Sequence, residues 1–384
     1  MNPKKRNAFL ISAAAVSGAV SAMTAISYAV TRLMLSFAID RKDPPQFEKR
    51  REAFAGSGKL KEIFDEQKEN AAKLRALPSE EIAIEGFDGT RLVGHYFKME
   101  GAKRTIVAFH GWRSAWYRDF SLIYDFWFKN GCNVLFVEQR GQKGSSGDYM
   151  GFGLLERFDC QSWVNYLTGR DDTVTPLYLA GISMGAATVL MASGLSLPDC
   201  VHGILADCGF TSPYAIWKYV SEKNLHLPFT GFRARVASDI CKRKLGNADS
   251  RYSAEDALKC CRVPVLFVHG ASDKFVPVTM TYKNYLACRS PKRLVIVPGA
   301  DHGMSYLVER ERYEEEVLDF FAFCDCRAPE PAPEPAPEPA PETPVPETAS
   351  ETVPAPEESP VKPAKRKKSK KKKGASADEK ADEA

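Results

Sequence analysis

The 384-residue sequence has no Cys-x-x-Cys pair and no cysteine and histidine cluster with zinc-finger spacing. We therefore predict no metal site. It has no second long apolar run beyond residues 8–31, which excludes a polytopic membrane protein. A net charge of only +4 is too small to indicate a nucleic-acid partner, and we expect no specific nucleic acid.

The ten cysteines indicate free thiols rather than a disulfide framework. Most lie inside apolar runs, such as the one that begins at Cys132, where a thiol behaves as a small hydrophobic side chain. Adjacent Cys260 and Cys261 fit disulfide pairing poorly. This usage favours a reducing compartment.

The first 42 residues are predicted to form a membrane anchor. Residues 8–31 carry no charged side chain, and a helix of this length spans about 36 Å, enough to cross a bilayer core. A secretory signal peptide is the alternative, because Lys4, Lys5 and Arg6 precede the apolar run and Val20-Ser21-Ala22 resembles a cleavage site. We expect a membrane-associated protein, with secretion as the alternative. Positive charge on both sides of the run leaves the side of the membrane open.

Residues 328–384 are predicted to be an unfolded spacer. Thirteen of the 25 prolines lie between Pro329 and Pro363 in a Pro-Glu-Pro-Ala pattern that favours an extended chain. The spacer ends in a lysine-rich block, Lys362 to Lys373. Two interpretations stay open for this block: binding to an anionic surface, or a solubilising tail.

Residues 43–327 are predicted to form one α/β domain. A hairpin turn at Asp88-Gly89 separates two strands, and apolar runs then alternate with amphipathic stretches. This order predicts a mostly parallel sheet with helices on both faces and a helical cap insertion at about 211–253. The predicted later strands are Thr105 to Phe109, Asn133 to Val137, Leu177 to Ala180, His202 to Ala206, Pro264 to Val268 and Arg293 to Val297. The predicted helices are Asp119 to Asn130, Leu154 to Leu167, Met184 to Leu195 and Tyr306 to Phe323.

A Gly-x-Ser-x-Gly pattern, Gly181-Ile182-Ser183-Met184-Gly185, lies between a predicted strand and a predicted helix. In this context the pattern indicates a sharp turn that exposes the serine hydroxyl as a nucleophile. Glycines at both ends allow neighbouring backbone to pass close by.

A serine nucleophile needs a base and an orienting carboxylate. Asp273 follows the next-to-last predicted strand and His302 follows the last one, which places both at the same sheet edge as Ser183. Asp301 competes with Asp273 for the carboxylate role. As the direct neighbour of His302, however, it is poorly placed to reach the Nδ1 atom.

These motifs resemble the α/β-hydrolase superfamily, and within it bacterial serine hydrolases of the serine aminopeptidase S33 and Bem46-type group. The resemblance covers most of residues 80–323. The matching motifs are His110-Gly111-Trp112, Glu138 to Ser145, Gly181 to Gly185, Gly270-Ala271-Ser272-Asp273 and Asp301-His302-Gly303.

The resemblance implies Ser183 as nucleophile, His302 as general base and then acid, and Asp273 as its orienting carboxylate. It also implies an oxyanion hole formed by the backbone N–H groups of Met184 and Trp112. Such a reaction proceeds through an acyl-enzyme and requires no cofactor.

The sequence departs from the superfamily pattern in one loop. Glu138-Gln139-Arg140-Gly141-Gln142-Lys143-Gly144-Ser145 replaces the usual Asp-x-Arg-Gly-x-Gly-x-Ser. For Arg140 we expect pairing with local carboxylates or carbonyls rather than contact with substrate.

The substrate is predicted to be a small acyl compound. Phe210, Trp217 and Phe229 are candidates for binding its acyl group, although such aromatics also serve simply to pack a cap. Ester hydrolysis is the first expectation. Amide, peptide or thioester cleavage and acyl transfer are alternatives on the same residues. A non-catalytic, membrane-tethered interaction protein is the alternative from a different class.

Overall fold

The computed structural model describes residues 3–42, 59–229 and 231–326. The predictions for the proline-rich spacer and its lysine-rich block fall on residues 328–384, outside the described residues.

The described residues form twelve α-helices, one π-helix and eight strands. In chain order these are α1 (Pro3–Ile39), α2 (Lys59–Ala76), β1 (Glu80–Glu85), β2 (Arg91–Phe97), β3 (Arg104–Phe109), α3 (Trp116–Asp119), α4 (Tyr124–Lys129), β4 (Cys132–Glu138), α5 (Glu156–Thr168), β5 (Leu177–Ile182), α6 (Met184–Ala192), β6 (Val201–Asp207), α7 (Pro213–Tyr219), the π-helix (Val220–Asn224), α8 (Phe232–Lys244), α9 (Ala254–Leu258), β7 (Val265–Gly270), α10 (Val278–Ala287), β8 (Lys292–Val297), α11 (Ser305–Val308) and α12 (Arg310–Asp325).

The eight strands form one sheet in the order β1-β2-β4-β3-β5-β6-β7-β8. β1 and β2 pair antiparallel, β2 pairs antiparallel with β4, and all later neighbours are parallel. The hairpin turns at Gly89, where φ is +78°, a conformation that glycine adopts without a steric penalty. The predicted hairpin and the mostly parallel sheet are confirmed.

Helices cover both faces of the sheet, because both faces bury apolar side chains. One core contains Trp163 of α5 and Val189 of α6. The other contains Trp127 of α4 and Phe320 of α12. β3 and β4 are buried along their whole length, which explains their mostly apolar sequences.

Two predicted helices are broken. The helix predicted over Asp119 to Asn130 is instead α3 and α4, and the hydroxyl of Ser121 bonds the carbonyl of Arg118 between them. Such local bonds compete with helical pairing. The helix predicted from Tyr306 is interrupted at Glu309, which has φ −132° and ψ 62° and divides α11 from α12.

Helix α1 runs beyond the charge-free segment that predicted it, to Ile39. Leu35 and Ile39 are fully buried against the body of the protein, and the last turns of α1 pack against α8. Residues 211–253 hold α7, the π-helix and α8, which we call the cap. The end of the N-terminal helix therefore belongs to the folded domain.

Candidate active site

Ser183 occupies a strained turn between β5 and α6, with φ +57°. Its backbone N–H donates to the carbonyl of Asp207 at the end of β6, at 2.8 Å. A Cβ atom on Gly185 would lie 1.8 Å from the carbonyl oxygen of Phe109, and one on Gly181 would lie 2.3 Å from Gly185. Only glycine fits these two positions, as the sequence pattern indicated. Backbone strain of this kind marks functional sites.

The three predicted polar side chains lie in one hydrogen-bonded series. His302 Nε2 is 2.9 Å from Ser183 Oγ, and His302 Nδ1 is 2.7 Å from Asp273 Oδ2. A carboxylate only accepts hydrogen bonds, so Nδ1 carries the proton and Nε2 is left to accept the serine hydroxyl. In this tautomer the imidazole is arranged to remove a proton from Ser183.

Asp273 is held in its ionised form by its surroundings. Its Oδ1 accepts the backbone N–H groups of Phe275 and Val276, each at 2.8 Å. Its Oδ2 also lies 3.1 Å from Nε2 of His269. Burial opposes ionisation, but the bonds from His269 and His302 outweigh it, and the pKa of Asp273 falls well below its usual value.

Asp301 has a different task from Asp273. Its Oδ1 accepts the backbone N–H of His302 at 2.8 Å and that of Lys274 at 3.1 Å. Asp301 thus holds two loops together. The carboxylate that contacts the His302 ring is that of Asp273, as expected from the position of Asp301 next to His302 in the chain.

The loop after β3 brings the backbone next to Trp112, one of the two predicted oxyanion donors, beside the serine. A Cβ atom on Gly111 would lie 3.5 Å from the Cβ of Ser183, so the backbone that leads into Trp112 passes directly beside it. Asp119 Oδ2 accepts the N–H of Gly111 at 2.7 Å and fixes this peptide. Met184, the other predicted donor, is the first residue of α6. Sequence reasoning missed Asp119, because only the fold brings it to the loop.

His110 also supports the loop after β3. It is fully buried, and its Nε2 accepts the N–H of Gln139 at 3.3 Å. Burial lowers the pKa of His110, which keeps the ring neutral and able to accept.

A cavity of about 740 Å³ opens at Ser183. Phe210 and Trp217, both predicted to bind the acyl group, line it. Phe229 does not appear among the described residues that line it. Phe229 is fully buried and packs edge-on against Tyr214, with ring centroids 5.5 Å apart. The expectation for Phe229 is corrected to a role in packing the cap.

Helix α1 supplies a wall of this cavity, which the sequence did not reveal. Its lining residues are Val30, Leu33, Met34, Leu35, Phe37 and Ala38. The indole Nε1 of Trp112 donates to the carbonyl of Ala38 at 2.8 Å, and the guanidinium of Arg113 donates to the carbonyl of Phe37 at 2.8 Å. The end of α1 is therefore bonded to the loop that carries the predicted oxyanion donor.

The loop that departs from the superfamily pattern is held by polar contacts with charged residues around it. Arg140 donates to Asp159 at 2.6 Å and to Asp88 at 2.8 Å, which confirms the expected pairing with local carboxylates. Glu138 accepts the N–H of Gly144 and lies 3.0 Å from His95 Nε2. These contacts give the loop a structural role, away from Ser183.

One cluster among the described residues has metal-ligand spacing: Cys208, Asp273 and His302, whose candidate ligand atoms lie within 4.8 Å of one another. The Asp273 and His302 atoms are already bonded to each other. Burial raises the pKa of Cys208 well above its usual range, which favours a neutral thiol over a thiolate ligand. The cluster fits a hydrogen-bonded series better than a metal site.

Comparison with known proteins identifies the family through one family model. A family model described as "Alpha/beta hydrolase family" matches residues 106–320. Bacillus subtilis YqkD, an uncharacterized protein, is 29% identical over 190 residues, which cover 50% of this chain and 62% of YqkD, less than two thirds of that relative. Uncharacterized YfhR of Escherichia coli K12 is 27% identical over 63% of this chain and 80% of its own length.

Solved structures share the fold. An esterase from Pyrococcus furiosus superposes with a TM-score of 0.52 at 18% identity, covering 66% of this chain and 93% of the esterase. Est1E of Butyrivibrio proteoclasticus, solved with ferulic acid bound, gives 0.51 at 19% identity, covering 64% of this chain and all of Est1E.

Proposed function

The chain belongs to the alpha/beta hydrolase family, and on that premise we propose that it is a serine hydrolase that cleaves a carboxylic ester through an acyl-enzyme. One observation carries the proposal: Ser183 Oγ, the His302 ring and the Asp273 carboxylate lie in series at 2.9 Å and 2.7 Å, and Ser183 lines an apolar cavity.

In the proposed first step, Ser183 Oγ attacks the acyl carbonyl carbon while His302 Nε2 takes the hydroxyl proton. The imidazolium that forms keeps its Nδ1 proton on Asp273, whose negative charge stabilises it. The same proton then passes from Nε2 to the departing alkoxide, which leaves as an alcohol. Water, deprotonated at Nε2, attacks the acyl-enzyme, and Ser183 recovers its proton when the acid departs.

The tetrahedral oxyanion needs donors that are already in place when charge develops. We assign this role to the backbone N–H groups of Met184 and Trp112. Two features support the assignment: Met184 begins a helix, where N–H groups point out of the helix end, and Asp119 accepts the N–H of Gly111, the residue before Trp112.

The cavity lining favours an ester with an apolar acyl group. Apart from Ser183, the indole of Trp112, whose N–H is bonded to Ala38, and the indole of Trp217, whose N–H has no partner among the described residues, its described lining side chains are hydrocarbon, phenyl or thioether groups. A polar group placed there, away from Ser183 and the two indoles, would lose its hydrogen bonds to water without replacement. Ester cleavage therefore stays ahead of peptide cleavage as the proposed activity.

We assign helix α1 the role of membrane anchor. The stretch Ala14–Ile39 is long and apolar enough to cross a bilayer, and only 17% of its most apolar part is buried by protein. Phe9, Val16 and Val20 are more than half exposed on this helix, and a bilayer around it would cover them.

Labelling with a fluorophosphonate tests the activity. We expect the probe to attach to Ser183 in the wild-type protein, as located by peptide mass spectrometry. Ser183→Ala should lose both labelling and several orders of magnitude in kcat for 4-nitrophenyl butyrate. Ser162→Ala, on α5, is the matched control and should retain both. Unlabelled, well-folded wild-type protein would contradict the proposal and favour a non-catalytic interaction protein.

A further inference from the structure

We propose that the substrate is a long-chain ester resident in the bilayer, and that its acyl chain enters the cavity along helix α1. This inference rests on the serine hydrolase function proposed above and adds the substrate class and its route.

The route begins where the membrane segment ends. Residues 8–31 carry no charge, and the cavity-lining residues of α1 run from Val30 to Ala38. At about 1.5 Å per residue, the far end of this wall lies only about 10 Å along the helix from Thr31. One continuous helix thus joins the apolar segment to the cavity.

The cavity opens to the surface beside α1 through apolar side chains. Leu33, Phe37 and Leu225 line the cavity and are nevertheless 72%, 43% and 48% exposed. The first two belong to α1 and the third to the cap. Exposed apolar groups grouped around an opening mark a surface that contacts lipid or another apolar partner. A bilayer held against α1 would cover them.

The cap carries the charge expected of a surface that rests on anionic lipid headgroups. Residues 211–253 contain eight basic and three acidic side chains. Helix α8, which packs against α1, holds five of the basic side chains and one acidic one. It also begins with an exposed Phe232. Basic and apolar side chains on one helix are typical of helices that lie at a membrane interface.

The cavity also suits one long hydrocarbon chain. Its volume of about 740 Å³ lies within the roughly 300–1,000 Å³ of small-ligand pockets. Among its described lining side chains Ser183 carries the reactive group, and the other polar atoms are the indole nitrogens of Trp112 and Trp217. An acyl chain fills such a space without losing hydrogen bonds, whereas a peptide segment loses several.

The full-length protein is reconstituted into vesicles of phosphatidylcholine and phosphatidylglycerol that contain 4-methylumbelliferyl palmitate. Water-soluble 4-methylumbelliferyl butyrate is assayed in parallel. Leu33→Glu and Leu225→Glu place a charge at the opening. We expect each to lower the ratio of palmitate to butyrate turnover at least tenfold. Leu286→Glu, at a site on α10 that is 77% exposed and away from the cavity lining, should leave both turnovers unchanged.

Failure of this inference is distinct from failure of the proposed function. Two results would overturn the lipid substrate and leave the proposed hydrolase intact. One is Ser183-dependent hydrolysis of the butyrate ester without hydrolysis of the palmitate ester in vesicles. The other is an unchanged ratio of palmitate to butyrate turnover in Leu33→Glu and Leu225→Glu. Preference for a soluble acylated peptide over the vesicle ester would also overturn it. If the wild-type protein hydrolyses neither ester and Ser183 is not labelled, the hydrolase itself is wrong.

Discussion

The indole Nε1 of Trp112 donates a 2.8 Å hydrogen bond to the carbonyl oxygen of Ala38. This bond joins the loop assigned to the oxyanion hole to the last turn of the N-terminal helix. The guanidinium of Arg113 adds bonds to the carbonyls of Phe37 and Asp40. A helix end has unpaired carbonyls, and here the loop beside the nucleophile satisfies them. The end of α1 and the loop beside Ser183 are therefore one structural unit.

Replacing Trp112 by phenylalanine removes this bond and keeps most of the aromatic packing. A typical hydrogen bond contributes about 0.5–1.5 kcal/mol, so we expect kcat for a short soluble ester to fall about three- to tenfold, with KM little changed. Steady-state kinetics measure both. Trp127→Phe is the matched control, because the indole N–H of Trp127 has no partner within the described residues. Equal kinetic losses in the two variants would show that the bond to Ala38 has no part in catalysis.

Asp273→Asn should lower kcat on the order of 10⁴-fold while the protein stays folded. The amide has no charge to stabilise the imidazolium, and its NH₂ group favours the wrong ring tautomer. Asp301→Asn is the comparison, since an amide oxygen still accepts the N–H groups of Lys274 and His302. We expect a loss below tenfold there. A larger loss in Asp301→Asn than in Asp273→Asn would reverse the assignment of the orienting carboxylate.

Arg140 is expected to matter for stability. It is buried between Asp159 and Asp88, so Arg140→Met leaves Asp159 buried and unpaired, at a cost of about 3–5 kcal/mol in the free energy of unfolding. Urea unfolding measures it. Arg170→Met is the control, because its partners Glu80 and Asp172 are exposed and surface pairs contribute at most about 1 kcal/mol. Unchanged stability with lost ester hydrolysis in Arg140→Met would instead point to substrate contact.

Asp207 should make stability fall as the pH rises. Burial raises the pKa of this carboxyl to about 6, above the value of about 3.9 in an unfolded chain. The folded protein therefore holds the proton more tightly, and the stability this provides is full below pH 4 and lost as the pH rises through 6. The difference corresponds to up to about 3 kcal/mol.

Asp207→Asn imitates the protonated form, so we expect it to be more stable than the wild type at pH 8 and no more stable at pH 4. Thermal and urea unfolding at both pH values test this. Asp239→Asn, at an exposed position on α8, is the matched control and should follow the wild type. A variant that loses stability equally at both pH values would show that Asp207 is ionised in the folded protein at pH 8.

The sequence correctly indicated which side chains lie close together where those side chains follow strand ends. The carboxyl ends of parallel strands share one sheet edge, so the order of Ser183, Asp273 and His302 along the chain was enough to predict that they meet. The contacts of Asp119 with Gly111 and of His269 with Asp273 were not predicted, because they form only in the folded protein. For Phe229, an aromatic in the cap, composition does not distinguish lining from packing.

The N-terminal helix is a second case in which amino-acid composition does not reveal what a residue contacts. Its apolar composition predicted a membrane span over residues 8–31, and hydropathy alone gives no sign that the turns after Arg32 wall a cavity. Leu33 and Phe37 look like the end of an anchor in sequence. Their role depends on the cap, which lies more than 170 residues later in the chain.

Two truncations separate the anchor from the cavity wall. A chain that starts at Met23 keeps every α1 residue described as buried in the body or lining the cavity. We expect its hydrolysis of a short soluble ester, assayed in detergent, to stay within threefold of the full-length protein. A chain that starts at Asp43 lacks the carbonyls to which Trp112 and Arg113 donate, and it lacks the cavity wall that α1 provides. We therefore expect its kcat/KM for the same ester to fall at least tenfold. Circular dichroism shows whether each form is folded. If the Asp43 form folds and keeps full activity, α1 acts only as a tether, and the structural unity of helix and active site is wrong.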